Sequence, residues 1–239
     1  HARALQDKIY FDLDLDPAAS CVATFRGQVN GYLDQPDVNI WQASYGSALF
    51  WTYLMEQYGS YPFEPGLGVD FLVDWWERAR DEMSNPSIYG VTDDTIKQSR
   101  PDDNATNAFH DFTIANTLKA RDLSQVSDAF RARYTYRDED PVPLRDNQMA
   151  FKQAAISQAV TVPPNGSAVS LNINARRFGA RYYDFITEFC PTGNTLEFRA
   201  TPTAAIPLQG NAQLILPDGL FSLIALEGST GPGKPRKLL

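Results

Sequence analysis

Two histidines are the residues of this chain whose type and position point most directly to metal chemistry. His1 is the first residue, and His110 is the only other histidine. An N-terminal histidine binds a metal through its amine and imidazole together, and one further imidazole completes a three-nitrogen site suited to copper. The sequence therefore offers a copper histidine brace, of the kind that copper oxygenases use. The alternative is that His1 is only where the chain was cut and that His110 packs between Phe109 and Phe112.

A run of alternating acidic and apolar residues lies near the start of the chain, at positions 11–17. If this run is a strand, the side chains of Asp12, Asp14 and Asp16 project from the same face. Carboxylate oxygens are the ligands that calcium prefers, although the spacing does not fit the loop of an EF-hand. Calcium is therefore the candidate cofactor of this run, and a solvated strand edge is the alternative.

The two cysteines, Cys21 and Cys190, lie far apart, one in each half of the chain. As a disulfide they would tie the two halves together and would indicate an oxidising compartment. As free thiols they would be two small buried apolar residues. We favour the disulfide, because a chain that starts at His1 instead of Met also fits a secreted protein from which a leader was removed.

The sequence shows no recognisable catalytic residues. It contains no Gly-x-Ser-x-Gly nucleophile motif, no phosphate-binding glycine loop and no histidine beside a candidate serine or cysteine. Two cysteines are too few for a four-cysteine zinc site. A glycosidase pair cannot be chosen from the 29 acidic residues. The net charge of -8 argues against nucleic acid as a partner, and the absence of a run of about 18 apolar residues predicts no membrane span.

The elements that would position these residues differ between the two halves. In the first half, apolar residues recur at spacings of three and four, which is typical of helices with one buried face. This spacing predicts helices over 45–58, 69–83, about 105–119 and about 123–132. The many aromatic residues of these helices are better explained as the core of a helical unit than as a cofactor site.

In the second half the period changes to that of strands, separated by turns rich in proline and glycine. Strands are predicted over 155–162, 168–173, 180–186, 195–200, 213–216 and 220–226. Short strands at this spacing favour a small antiparallel β-sandwich. The predicted fold class is therefore α+β, with a helical unit over 1–140, a β-sandwich domain over 149–228 and a flexible tail over 229–239.

The helical segments resemble a known family. Residues 45–59, the tryptophan-rich helix that follows and residues 108–116 resemble the C-terminal part of secreted bacterial zinc metallopeptidase-like proteins of the gluzincin type. The opening residues 1–7 resemble the end of the helix that carries the third zinc ligand, a glutamate, in that family. The resemblance implies a helical subdomain, commonly followed by a β-sandwich.

The chain departs from the family at the catalytic motif. The His-Glu-x-x-His helix is absent, and neither His1 nor His110 matches a ligand position. The resemblance thus implies zinc only if an upstream segment supplies the motif. We expect a non-catalytic, secreted or cell-surface chain from a metallopeptidase-like precursor, acting as a structural or binding module. Its partner would be another protein chain, or the missing N-terminal segment, docked on the aromatic helical unit. The alternatives are part of a zinc metallopeptidase completed by the missing segment, and the copper oxygenase.

Overall fold

The computed structural model of the chain describes residues 1, 4–5, 21–62, 67–81, 87–118, 127–136, 152–163, 167, 169–171, 176–187, 211–215 and 221–225. Helices dominate these residues. The α-helices are α1 (Cys21–Asp34), α2 (Ala48–Tyr58), α3 (Val69–Asp81), α4 (Ile88–Ser99), α5 (Ala105–Leu118) and α6 (Asp128–Tyr134). Two short 3-10 helices, Ile40–Gln42 and Ser44–Ser47, lead into α2. No helix in the described ranges is long and apolar enough to cross a membrane.

The strands form two separate pairs. They are β1 (Ile156–Val162), β2 (Tyr182–Thr187), β3 (Asn211–Ile215) and β4 (Phe221–Ala225). Strand β1 pairs with β2, and β3 pairs with β4 in an antiparallel register.

The predicted fold class, α+β with a small antiparallel β-sandwich, is wrong. The described part of the chain is mostly helical, and no antiparallel β-sandwich is found in it. A sandwich strand buries every second side chain against the opposite sheet. In β1, by contrast, Val160 is the only buried residue and positions 156–159 are all exposed. The alternating pattern of the sequence therefore marks a strand correctly without implying a second sheet across from it.

Most of the individual elements were nevertheless predictable. The helices predicted over 69–83 and about 105–119 are confirmed as α3 and α5. Those predicted over 45–58 and about 123–132 are found as α2 and α6, and each begins later than predicted. Four predicted strands are confirmed as β1 to β4, whereas residues 169–171 are not a strand and 195–200 lie outside the described residues. Helices α1 and α4 were not predicted. Helix α1 contains Gly27 and Gly31, which lower its helix propensity.

The centre of the core is α2, in which all eleven residues are buried. Its aromatic rings contact those of α5: the Phe50 and Phe112 centroids lie 5.1 Å apart, and those of Tyr53 and Phe112 lie 5.7 Å apart. On the opposite side, Trp51 contacts Trp75 of α3 at 5.5 Å. Each such pair contributes about 0.5–1.5 kcal/mol beyond the apolar area that it buries. Aromatic packing thus fixes the positions of α3 and α5 on the central helix.

A glycine allows the chain to pass close to the end of α2. Gly68 has a φ of +67°, and a Cβ atom at this position would lie 1.9 Å from the Met55 carbonyl oxygen. Glycine is the residue that adopts this conformation without steric cost and leaves room for the carbonyl group. The contact places the first turn of α3 directly against α2.

The segment before β1 is attached to the helical unit. The backbone amide of Ala155 donates to the Leu33 carbonyl at 2.8 Å, and that of Ala154 donates to the Asn116 carbonyl at 3.3 Å. Lys152 forms an ion pair with Asp34 at 2.8 Å.

Two compact units are distinguished, and each is discontinuous in sequence. The first contains the helices and comprises His1–Ala120, Ser127–Gln158 and Asn172–Tyr183. The second comprises Arg121–Val126, Ala159–Leu171 and Asp184–Leu239.

Candidate functional site

The His1 side chain lies against indole rings. Its ring centroid is 3.9 Å from that of Trp51, 4.5 Å from that of Trp75 and 5.2 Å from that of Trp76, and all three contacts are edge-on. His110 lies on α5 between Phe109 and Phe112, both of which are buried. His110 itself is half-buried, and the packing alternative stays a prediction. The copper brace itself is not tested by these contacts and stays a prediction.

The remaining predicted site residues lie largely outside the described residues. Asp12, Asp14 and Asp16 all belong to the range 6–20, so the calcium hypothesis stays a prediction. Cys21 is the first residue of α1, but Cys190 is outside the described ranges, so the disulfide also stays a prediction. Where the structure does describe side chains, no group of three or more His, Cys, Asp or Glu is arranged to hold a metal ion.

Helix α3 also carries two large apolar side chains that are exposed. Phe71, Leu72 and Trp75 are buried, as expected for a helix with one buried face. In contrast, Trp76 is 56% exposed and Val73 is 50% exposed. Residues three apart on a helix are neighbours on its surface, so the two side chains form one patch. We call these two residues the Trp76 patch.

A shallow acidic groove lies where α3 meets α4. Its lining residues are Asp74, Glu77, Arg78, Asp81 and Gln98. The guanidinium of Arg78 donates to the Gln98 side-chain oxygen at 2.5 Å, which links α3 to α4. Three carboxylates against one guanidinium leave this lining with a net negative charge.

A second arrangement of polar side chains surrounds Asp111, in the middle of α5. Asp111 is 4% exposed. The Nε and Nη2 atoms of Arg133 donate to its Oδ2 atom at 2.7 and 2.6 Å. Burial raises the pKa of the Asp111 carboxyl to about 6, and the guanidinium of Arg133 offsets part of that rise. This carboxyl group can therefore take up or release a proton near neutral pH.

The polar groups continue from Asp111 along the C-terminal end of α2. The Tyr58 hydroxyl donates to Oδ2 of Asp103 at 2.7 Å, and burial with this bond raises the pKa of Tyr58 well above its usual range. The Arg100 guanidinium lies 4.9 Å from the centre of the Tyr58 ring and donates to the Gln57 carbonyl at 2.5 Å. These bonds join the end of α4 and the start of α5 to α2.

Comparison of the chain with protein-family models, curated proteins and solved structures finds no match. The function is therefore argued from the geometry of the described residues. Helix α3 offers the exposed Trp76 patch and, on another face, the acidic groove. The polar network of Asp111 instead joins helices to one another.

Sequence reasoning singled out neither Trp76 nor Asp111. Trp75 and Trp76 belong to the same tryptophan-rich helix, but adjacent helical residues point about 100° apart, so the helix can bury one and expose the other. Asp111 is the only Asp, Glu, Lys or Arg within α5. A lone charge inside an otherwise uncharged helix is the signal that would have identified it, because such a residue needs a partner when it is buried.

Proposed function

We propose that this chain is a non-catalytic structural or binding module of a larger extracellular assembly, derived from a metallopeptidase-like precursor, and that it docks another protein chain through the Trp76 patch. The observation that carries the proposal is the contrast between two adjacent tryptophans. Trp75 is 6% exposed, and Trp76 is 56% exposed on the same helix. Large exposed aromatic residues beside an apolar neighbour are typical of the centres of protein interfaces.

The position of the patch supports a rigid docking surface. Helix α3 is held against the core by its buried residues. In addition, the Trp75 indole donates to the Thr92 hydroxyl of α4 at 3.0 Å. A surface held in this way loses little conformational freedom on binding, which favours affinity. The resemblance to metallopeptidase-like proteins supports the same proposal, because an aromatic helical subdomain of that family packs against a further segment.

Acidic side chains on another face of α3 favour a basic partner surface. The groove that they form is lined by Asp74, Glu77 and Asp81 and does not include Trp76. A partner segment with several lysines or arginines would place one of them on these carboxylates and another on the Trp76 indole, whose face attracts cations more strongly than any other side-chain ring. We therefore specify the partner as a protein segment that carries basic side chains among apolar ones.

The proposal is tested by placing a photo-crosslinking amino acid at position 76 of the secreted protein in its native source. A matched control carries the same group at Asp128, which is also highly exposed but lies on α6. We expect one protein to be crosslinked from position 76 and not from position 128. Titration of that purified protein then measures whether Trp76→Ala weakens the dissociation constant by about 30-fold, as loss of an interface hot spot does.

Two results decide against the proposal. One is crosslinking at the same yield from both positions, which indicates collision with a general surface. The other is a dissociation constant for the purified pair that Trp76→Ala leaves unchanged while circular dichroism shows that the variant is folded. A steep fall of affinity between low and high salt is expected for the wild-type pair, because the specified partner is basic.

A further inference from the structure

We propose that the four tryptophans of this chain form a relay that moves a one-electron oxidation from Trp41 to Trp76, where water receives a proton and a reductant in solution restores the indole. All four tryptophans belong to the same compact unit. The inference does not depend on the proposed docking function. It rests on the contacts between the indole rings and on the surroundings of their N–H groups.

The first observation is that the indole rings contact one another in an unbroken row. The ring centroids of Trp41 and Trp51 lie 6.2 Å apart, and those of Trp51 and Trp75 lie 5.5 Å apart. Trp76 follows Trp75 at 5.2 Å. Indole gives up an electron more readily than any other neutral side-chain ring, and the rate of electron transfer falls steeply with distance. An oxidised Trp41 can therefore take an electron from Trp51, and each further neighbour can replace that electron in turn.

The second observation is that two of these indoles have no base to which they can release a proton. The N–H of Trp41 is buried and has no hydrogen-bond partner among the residues that the structure describes. The N–H of Trp75 donates to the Thr92 hydroxyl, which in turn donates to the Ile88 carbonyl at 2.7 Å. A hydroxyl is too weak a base to take the proton of an oxidised indole, and burial disfavours the indole cation itself. The oxidation is therefore not trapped at either ring.

The third observation is that the two ends of the row differ in their access to water. Trp76 is 56% exposed, whereas Trp51 and Trp75 are buried. Water hydrates a cation at Trp76 and accepts the indole proton, which leaves a neutral radical at the surface. The Trp41 side chain is half-buried although its N–H is covered. An oxidising radical in solution can thus reach the Trp41 ring, while the proton is released at Trp76.

Tyr89 is a further oxidisable ring beside the row, at 6.3 Å from Trp41. Oxidation of a phenol requires that a base takes up the phenol proton. The partner of the Tyr89 hydroxyl is the hydroxyl of Thr106, at 3.2 Å. Because this partner is not a base of sufficient strength, Tyr89 does not compete with Trp76 as the end of the relay.

Each cycle consumes one oxidant and one reductant. The oxidising radical takes one electron from Trp41 and is thereby reduced. After transfer along the row, Trp76 lacks one electron and releases its N–H proton to water. A one-electron reductant of the ascorbate class then returns the electron, and water returns the proton. The indoles inside the helical unit are thereby spared permanent oxidation.

The relay is tested in the whole chain by starting the oxidation at one known position. A ruthenium(II) polypyridyl photosensitiser is attached to an azide-bearing amino acid in place of Gln42, which is exposed and directly follows Trp41. A light flash in the presence of hexaammineruthenium(III) as electron acceptor converts the label to ruthenium(III), which oxidises Trp41. We expect transient absorption to show a neutral indole radical. After prolonged illumination, peptide mass spectrometry should find the oxidation products on Trp76, and ascorbate should abolish them.

Two variants separate transfer along the row from direct attack. Trp75→Phe interrupts the row and should cause loss of the Trp76 products, with products on Trp41 and Trp51 instead. Phe50→Leu is the matched control, because Phe50 contacts the rings of Trp41 and Trp51 at 5.4 and 6.4 Å but is not itself oxidised. It should leave the products on Trp76.

The inference is overturned if the products in the wild type stay on Trp41. It is equally overturned if Trp75→Phe leaves the yield on Trp76 unchanged, since the label or solution oxidants would then attack Trp76 directly. The distribution of products in the wild type decides the question even where a variant does not fold.

Discussion

Replacing Asp111 by asparagine should remove a specific pH dependence from the stability of the helical unit. In the folded chain burial raises the pKa of this carboxyl to about 6, from an ordinary value of 3.8. The folded state therefore binds the Asp111 proton more tightly than the unfolded state does. The resulting contribution to stability is fully present below pH 3.8 and is lost as the pH rises through about 6. The ion pair with Arg133 does not reverse this sign, because it offsets only part of the effect of burial.

The size of the effect follows from the shift. A difference of about 2 pKa units corresponds to about 3 kcal/mol in the free energy of unfolding. We expect wild-type stability to fall by about this amount, relative to Asp111→Asn, between pH 4 and pH 8. Urea unfolding of both proteins, followed by tryptophan fluorescence across this range, measures the difference directly. The two proteins share every other titratable group. Subtracting their free energies of unfolding at each pH therefore removes the contributions of those groups.

Asp128→Asn supplies the control, because the Asp128 side chain is 93% exposed in its pair with Arg131. Replacing this exposed side chain should change the free energy of unfolding by less than about 0.5 kcal/mol at pH 7. The reasoning is refuted if the wild type gains stability relative to Asp111→Asn as the pH rises. That result would mean that Arg133 lowers the pKa of Asp111 by more than burial raises it. A flat difference would show that Asp111 is hydrated in the folded chain.

Two further predictions concern the packing of α3. Trp75→Phe should destabilise the helical unit by about 1–2 kcal/mol in urea unfolding, because the buried Thr92 hydroxyl loses the indole N–H that now donates to it. Trp76→Phe should leave the midpoint of urea unfolding unchanged. Equal losses of stability in the two variants would contradict the assignment of Trp75 as buried and Trp76 as exposed. Gly68→Ala should lower the melting temperature by about 10 °C or more in calorimetry, since its backbone conformation and the space around it both exclude a side chain. Gly27→Ala on α1, where a Cβ atom meets nothing within 4 Å, should be neutral or stabilising by about 0.5–1 kcal/mol.

Helices with a regular apolar face were predictable from the sequence, and the reasons are physical. In α3 the residues Phe71, Leu72 and Trp75 recur at the spacing of one helix face and are buried. Helix α4 was missed because the buried side of this helix includes Thr92 and Thr95, whose hydroxyls are satisfied by hydrogen bonds. A polar residue that is satisfied by its own helix backbone leaves no apolar pattern to detect.

The fold class and the candidate site were beyond the sequence for a different reason. Alternation of apolar and polar residues indicates that a segment is extended, but it does not indicate what packs on the extended segment. For β1 the pattern correctly indicated a strand, but no second sheet packed on it is found among the residues that the structure describes. The partners of Asp111 were equally hidden, because Arg133 lies 22 positions away and only the packing of α6 on α5 brings them together. Contacts between residues far apart in sequence depend on how the helices pack, which the local pattern of apolar and polar residues does not indicate.

The complete burial of α2 has a consequence for how this sequence can change over time. A helix on a protein surface has positions at which almost any residue is tolerated, because one side faces solvent. Helix α2 has no such side: eleven consecutive residues, including the polar Thr52, Glu56 and Gln57, all lie inside. A saturation mutagenesis scan should therefore show an unbroken block of intolerance over residues 48–58. Relatives of this chain, however far they have diverged elsewhere, should be recognisable by this segment before any other.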